Sequence, residues 1–281
     1  MKQQQREFCF CTLALGQNYR NLALELAKDL EKYSPKTPLV ILTDKPQHFW
    51  NNTNVFAFKH QQRSIGCYHD KRFAIAKGLS LSNSCIFIDA DMRILAPISD
   101  NLPFCQPGIT AKIVWHNIVK HNKNQTEIQI LQRITDKLDL DLKDVSFVHE
   151  CLFAVTRDQG RELEFLDTWE RIAAYCELNK FYRGEGHAIG LAALKIGWRV
   201  SVDPMSEICF FKDKLELDKI KSGDAELQET NAFFETQKKL EYPQMSLLGK
   251  LINKSHKIIM YLYRSLRLKI FTLTDIDFYY K

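Results

Sequence analysis

The segment Cys85-Ile86-Phe87-Ile88-Asp89-Ala90-Asp91 places two carboxylates directly after four apolar residues. A short, fully apolar run is typical of a strand buried on both faces of a parallel sheet. Carboxylates at the end of such a strand are costly to desolvate unless a cation shares them, and Mg²⁺ or Mn²⁺ with oxygen ligands is the usual partner. The segment predicts a buried strand that ends in a metal site at Asp89 and Asp91, with a solvated turn as the alternative.

On both sides of this segment, apolar strand-like runs alternate with segments of helical spacing. Runs at 8–15, 39–42 and 55–58 precede the segment, and 18–33 and 68–81 have apolar residues at helical intervals. This alternation predicts an α/β fold, with a doubly wound, mainly parallel sheet and helices on both faces. Ligands of such sheets bind at the carboxyl ends of the strands, so the functional residues are expected there.

Beyond Pro97 the pattern is less regular. It predicts strands at 108–114, 151–155 and 199–202, helices at 126–142, 160–176 and 188–195, and a loop-rich stretch at 205–242. The predicted organisation is a main domain at 1–204, a connector at 205–243 and a basic amphipathic helix and tail at 244–281.

Composition narrows the class of protein. A net charge of +5 over 281 residues argues against a dedicated nucleic-acid binder. The start, MKQQQREFCFCTLALG, has too short an apolar run for a signal peptide, and no run is long enough to span a membrane. Eight scattered cysteines fit buried thiols in a reducing compartment. We expect a cytoplasmic protein, or one peripheral on the inner face of the membrane.

The Asp89-Ala90-Asp91 pattern resembles the D-x-D element of GT-A type glycosyltransferases, a superfamily of nucleotide-diphospho-sugar transferases. The resemblance covers residues 8–97 well and 108–203 loosely. It implies a hexosyltransferase-like enzyme that uses Mn²⁺ or Mg²⁺. The donor would be a nucleotide-diphosphate sugar, a UDP-sugar first among them, and the acceptor a saccharide, a lipid-linked sugar or a protein.

Carried over to this sequence, the resemblance assigns roles at three strand ends. Asp91 would coordinate the metal that bridges the two phosphates, and Asp89 would contact the ribose or the same metal. Thr12 lies in the half of the nucleotide pocket that the first strand and helix form, where Tyr19 would stack on the base. Asp44, after its strand, would contact base or ribose.

Further residues are implied for the donor sugar and the acceptor. Lys71 or Arg72 would face the donor sugar or its diphosphate, with a solvated helix cation as the alternative. Glu150 and Glu185 are the candidate catalytic carboxylates. Glu185 is flanked by glycines that would let it approach a substrate closely, and it equally suits a charge at a helix N-terminus.

One feature of the superfamily has no counterpart. Some relatives add a late histidine as a third metal ligand, and no matching motif follows the predicted sheet. His187 and Asp203 are weak substitutes, and His256 lies in the tail. The metal geometry and the retaining or inverting outcome stay open.

The tail is basic and amphipathic. Residues 246–271 carry no acidic residue, and their six cations are Lys250, Lys254, Lys257, Arg264, Arg267 and Lys269. On a helix, Lys250, Lys254, Lys257 and Arg264 fall on one face, opposite the apolar residues Leu248, Leu251, Ile252, Ile259, Leu262, Leu266 and Ile270. Two interpretations stay open, an interfacial helix on anionic lipid and a helix packed on the core.

Two other functions compete with sugar transfer. Haloacid-dehalogenase-like phosphatases also use Asp-x-Asp at a strand end, but on the first strand and with Thr or Val where Arg93 stands here. A non-catalytic nucleotide-binding module tethered to a membrane by the tail is the second. Turnover of a nucleotide sugar distinguishes the transferase from this module.

Overall fold

The computed structural model describes residues 7–242 and 246–281, without the side chains at 227, 229, 247, 248, 250 and 251. The chain forms two compact units. The first comprises Met1–Gln61, Phe73–Cys105 and Met205–Gln244, and the second Gln62–Arg72, Gln106–Pro204 and Met245–Lys281. The three-part division at residues 204 and 243 stays a prediction, and position 243 lies outside the described residues.

Helices and strands alternate along the first half of the chain. They are β1 (Phe8–Ala14), α1 (Gln17–Tyr33), β2 (Leu39–Thr43), β3 (Val55–Lys59), α2 (Lys71–Leu79), β4 (Ser84–Ile88), β5 (Arg93–Ile94), β6 (Gly108–Ala111), β7 (Val114–His116), α3 (Ile118–His121) and α4 (Gln125–Leu138).

The second half is mainly helical. Its elements are β8 (Ser146–Val148), β9 (Leu152–Thr156), α5 (Arg161–Leu178), α6 (Glu185–Lys195), β10 (Ser201–Val202), β11 (Phe210–Phe211), α7 (Asp213–Ser222), α8 (Leu227–Glu241), α9 (Leu247–Thr272) and α10 (Ile276–Tyr280). The α/β class and the mainly parallel pairing expected from the sequence are confirmed.

The first unit is built on four parallel strands in the order β4-β1-β2-β3. Cys11 of β1 lies beside Phe87 of β4, and Ala14 lies beside Thr43 of β2. The chain adds β2 and β3 on one side of β1 and then returns to add β4 on the other side. The carboxyl ends of β1 and β4 therefore flank the point where the strand order reverses, which is where open α/β sheets bind ligands.

An ion pair fastens α1 to the strand that follows the acidic segment. Arg93 of β5 donates to Asp29 of α1 through Nε at 2.6 Å and Nη2 at 2.9 Å, and the Ile94 N–H donates to the same carboxylate at 3.1 Å. This two-pronged geometry is the strong form of an Arg–carboxylate contact. Arg93, which distinguishes the sequence from the phosphatase pattern, thus has a structural role.

The segment 205–242 is not rich in loops, and that prediction is wrong. It contains β11, α7 and α8. Phe211 of β11 is buried and packs against Phe233 and Phe234 of α8, with ring centroids 5.3 and 4.9 Å apart. Because the exposed positions carry charges of both signs, composition alone does not predict this apolar contact.

In the second unit β6 pairs antiparallel with β9 and parallel with β10. Helix α6 packs so closely on β8 that side chains are excluded at two positions. A β-carbon at Gly190 would lie 1.7 Å from the Ser146 carbonyl oxygen, and one at Gly186 would lie 2.5 Å from the Val148 carbonyl oxygen. Gly186 is therefore required for packing, which accounts for a glycine beside Glu185 without any substrate.

All eight cysteines are free. Five are buried as expected, whereas Cys67 and Cys105 are half-buried and Cys209 is exposed. Cys9 and Cys11 of β1 and Cys85 of β4 are fully buried. The hydrogen bond with Cys85, together with burial, raises the pKa of the Cys9 thiol, and burial raises the pKa of the Cys11 thiol. Thiols held protonated in a core are poor nucleophiles and poor metal ligands, so these residues act in packing.

Candidate active site

Asp89 and Asp91 follow β4 directly, in the first unit, as the sequence predicted. A cation from a distant part of the chain lies against both carboxylates. The Lys212 ammonium is 3.4 Å from Asp89 Oδ2 and donates a short hydrogen bond to Asp91 Oδ1. The side chain of Asp89 is 22% exposed, that of Asp91 15% and that of Lys212 11%, so all three are largely removed from water. The strand end is thus a partly desolvated cation-binding pair.

The electrostatics of Asp91 reflect this position. Burial raises the pKa of the Asp91 carboxyl above its ordinary value, Lys212 opposes that shift, and the neighbouring Asp89 carboxylate adds to it. Two carboxylates in one site repel each other, so a positive charge is needed to keep both ionised. Lys212 supplies such a charge.

The residues present fit a divalent cation that takes some of its ligands from outside the protein. Asp89 and Asp91 offer hard oxygen ligands, and the ammonium of Lys212 already occupies a position where a cation is favourable. In the described part of the chain, no three His, Cys, Asp or Glu side chains gather closely enough to hold an ion. A bound Mg²⁺ or Mn²⁺ would therefore need further oxygen ligands from outside these side chains.

Asp44 lies just beyond β2 at the same edge of the four-stranded sheet. It accepts two hydrogen bonds from Arg20 Nη1, at 2.5 and 2.6 Å, and one from the Gly16 N–H at 3.1 Å. Burial works to raise the pKa of Asp44, but Arg20 and the Gly16 N–H outweigh it and hold the pKa below its ordinary value. The carboxylate is still 45% exposed, so it is fixed, ionised and open to a ligand.

Two further residues predicted for the nucleotide belong to β1 and α1. Thr12 is fully buried, and its hydroxyl has no hydrogen-bond partner among the residues described. Tyr19, near the start of α1, is 44% exposed. A buried hydroxyl near the strand-order reversal and an exposed aromatic ring beside Arg20 are both compatible with a nucleotide, and their roles stay predictions.

The second unit contains the other predicted residues. The Lys71 ammonium donates to the Glu150 carbonyl oxygen at 3.1 Å and lies 3.8 Å from Glu185 Oε1. Glu185 opens α6 and is 3% exposed, and Lys71 is 9% exposed, so this ion pair is buried. Glu150 is half-buried, and its Oε2 has no hydrogen-bond partner within 7–242 and 246–281. Lys71 is therefore not a solvated helix cation.

Arg72 and His187 have structural neighbours in the same unit. Arg72 forms an ion pair with Glu170 at 2.5 Å. His187 lies between the rings of Phe147 and Phe181, at centroid distances of 4.9 and 5.4 Å, and burial lowers its pKa to about 4. A neutral histidine packed between aromatic rings suits a core position, consistent with its weak standing as a metal ligand.

The exposure of residues on α9 differs in part from the predicted division into a basic face and an apolar face. Its apolar residues form an exposed stripe, each 60–63% accessible: Ile252, Ile259, Leu262, Leu266 and Ile270. Arg264, predicted among the outward cations, is instead half-buried, and desolvation lowers its pKa. Arg267 donates to the carbonyl oxygens of Gln62 and Arg63 within the second unit. Leu248, Lys250 and Leu251 lie outside the described side chains.

Comparison with solved structures finds many similar chains, two glycosyltransferases among them. A galactosyltransferase, LgtC, in complex with donor and acceptor sugar analogs, matches at 11% identity over 66% of this chain and 69% of its own, with a TM-score of 0.44. The bifunctional glycosyltransferase WbbM matches at 10% identity over 73% of this chain and 40% of its own, with a TM-score of 0.43. No protein-family model and no curated protein sequence matches.

Two residues of the site were not predicted from the sequence. Lys212 follows the two-residue strand β11, and Arg20 lies on the buried face of α1. Arg20 carries a recognisable signal, because a lone arginine among apolar helix positions that face a sheet needs an acidic partner. Lys212 carries no such signal, because Asp91 lies 121 residues earlier in the chain and no residue near Lys212 indicates the contact.

Proposed function

We propose that the chain is a metal-dependent glycosyltransferase that uses a nucleotide-diphosphate sugar. The observation that carries the proposal is the partly desolvated Asp89–Asp91 pair with a cation seated on it, at the carboxyl end of β4. Asp44, held by Arg20 and the Gly16 N–H at the same sheet edge, supports a nucleotide contact nearby.

The chemistry follows from the charge that develops. In sugar transfer the bond between the anomeric carbon and the phosphate oxygen breaks, and that oxygen leaves with the electron pair. An acceptor hydroxyl oxygen bonds to the anomeric carbon and loses its proton. A divalent cation, when bound, supplies Lewis-acid stabilisation of the leaving diphosphate. Asp89 and Asp91 would hold it, Asp44 would bind ribose or base, and a carboxylate would accept the proton or hold the acceptor hydroxyl.

A panel of donors tests the activity directly. We expect one class among UDP-, GDP- and dTDP-sugars, with a UDP-sugar first, to bind in the presence of Mn²⁺ or Mg²⁺ and to release its nucleoside diphosphate. Calorimetry measures binding, and a coupled assay measures release, with EDTA as the metal-free control.

The other outcomes of this panel identify the competing functions. Binding of a nucleotide without release would favour the non-catalytic module. Release of inorganic phosphate from a simple phosphomonoester would favour the phosphatase, although Asp89 follows the fourth strand in chain order and not the first.

We also propose that α9 attaches the enzyme to an anionic membrane surface. The exposed stripe of α9, with Lys254, Lys257 and Lys269 also exposed on the helix, has the composition of an interfacial helix. Exposure of this stripe argues against the alternative in which it packs on the core. No helix of the described chain has both the length and the apolar content to cross a membrane. A lipid-linked acceptor would suit such an enzyme.

Vesicle sedimentation tests the attachment. Each Lys near an anionic surface contributes about 1 kcal/mol, so reversing the charge of Lys254, Lys257 and Lys269 to Glu is expected to weaken binding to anionic vesicles more than about a hundredfold. Replacing Leu262 and Leu266 by Ser is expected to weaken it as well, because apolar burial contributes.

The matched control reverses three cations outside α9, Lys214, Lys238 and Lys239, which are also exposed. These changes alter net charge equally and are expected to leave most of the binding. Equal binding of the wild type to neutral and anionic vesicles, or to neither, contradicts the electrostatic attachment.

A further inference from the structure

The Lys212 ammonium lies where the proposed metal would bind. It lies within 3.4 Å of Asp89 Oδ2 and forms a short hydrogen bond with Asp91 Oδ1, so both ligands of the proposed metal are engaged by one internal cation. Lys212 is only 11% exposed, and α7 begins at the next residue, Asp213. The side chain is thus a built part of the acidic site and not a surface cation that happens to lie close.

We propose that Lys212 is a resident counter-cation that competes with the divalent metal for Asp89 and Asp91, so that metal binds well only when the ammonium is displaced. This inference rests on the proposed function, because it assumes that the pair binds a metal. It predicts that the site is stable without metal and binds metal weakly when no donor is present. It also predicts that the metal binds together with the negatively charged diphosphate.

The physical reason is the cost of leaving two carboxylates unneutralised. Asp89 and Asp91 are largely desolvated and repel each other, so the metal-free chain needs a positive charge between them. An ammonium held on its own chain meets that need without any loss of translational freedom, which a free ion has to give up. A metal ion entering the site must then replace an existing interaction and also leave Lys212 without its partners. A diphosphate adds negative charge and oxygen ligands, which favours the exchange.

Titration with Mn²⁺ in the absence of any nucleotide tests the competition, with calorimetry on the full chain. Lys212→Met is expected to bind Mn²⁺ at least about tenfold more tightly than the wild type, because no ammonium has to be displaced. Lys212→Arg retains a cation and is expected to stay within about threefold of the wild type. The thermal midpoint of metal-free Lys212→Met is expected to fall and to recover on addition of Mn²⁺.

Lys214→Met is the matched control, since it removes an exposed cation two residues away and is expected to leave the Mn²⁺ affinity unchanged. If Lys212→Met does not fold, Lys212→Gln takes its place. Equal or weaker Mn²⁺ binding by the Met or Gln variant, while the wild type still binds more tightly than Asp91→Asn, overturns the inference. Failure of the proposed metal site has a different signature, in which wild type and Asp91→Asn bind Mn²⁺ equally.

Discussion

Replacement of Asp91 by Asn is expected to lower turnover of the nucleotide sugar by about a thousandfold or more and to remove metal-dependent donor binding. The carboxylate is one of two hard oxygen ligands that the chain offers, and its loss leaves Asp89 alone with Lys212. Lewis-acid stabilisation of the leaving diphosphate is worth several kcal/mol, and about 4 kcal/mol corresponds to a factor of about a thousand in rate.

Donor calorimetry with Mn²⁺ and initial-rate measurements check this expectation. Asp100→Asn makes the same chemical change at an exposed position of the same unit and is expected to behave as the wild type. Circular dichroism and the thermal midpoint establish that both variants are folded. Unchanged donor affinity in folded Asp91→Asn would remove this residue from the site, and Asp44 with Arg20 would then be the remaining candidate for ligand binding.

Glu150→Gln is expected to lower turnover by about a hundredfold while donor binding changes little, which is the size of a lost general base or acceptor contact. The sequence favours Glu185 over Glu150 as the catalytic carboxylate, whereas we propose Glu150 from the contacts that the two side chains make. Glu150 keeps a buried Oε2 that no described residue hydrogen bonds, whereas Glu185 is engaged with Lys71 and is nearly inaccessible. A carboxylate with an unused acceptor atom is the better candidate for a substrate hydroxyl.

Glu185→Gln is the matched comparison, because it makes the same change in the same unit. Removing its charge leaves Lys71 buried beside a neutral group, and breaking a buried pair in this way costs about 3 kcal/mol. We therefore expect a clear loss of stability in urea unfolding, with turnover of the folded protein within a few-fold of the wild type. A hundredfold loss of turnover in stable, folded Glu185→Gln, with Glu150→Gln active, would reverse the assignment.

Strand and helix identity in the first unit followed from local sequence. The apolar runs at β1, β2 and β4 are buried on both faces, and only a parallel sheet covered by helices explains such runs. The position of Asp89 and Asp91 at the carboxyl end of β4 follows from the same rule, because chain direction in a parallel sheet is fixed once the strands are known. Asp44, directly after β2, was predictable for the same reason.

Contacts between residues that are distant in sequence could not be predicted. Nothing near Glu185 indicates that Lys71 neutralises it, and the neighbouring Gly186 suggested an open approach to substrate that close packing on β8 explains instead. Helical periodicity similarly separated the cations of α9 from its apolar residues. It could not indicate that Arg264 would be half-buried and that Arg267 would bond to backbone carbonyls at 62 and 63.

By itself, the sequence determined that Asp89 and Asp91 end a buried strand, because burial and side-chain alternation act between near neighbours along the chain. Only the tertiary structure decided what shares the site with them. Lys212 reaches Asp91 across 121 residues, and the energy of that contact depends on distance and desolvation in three dimensions, neither of which residue spacing encodes.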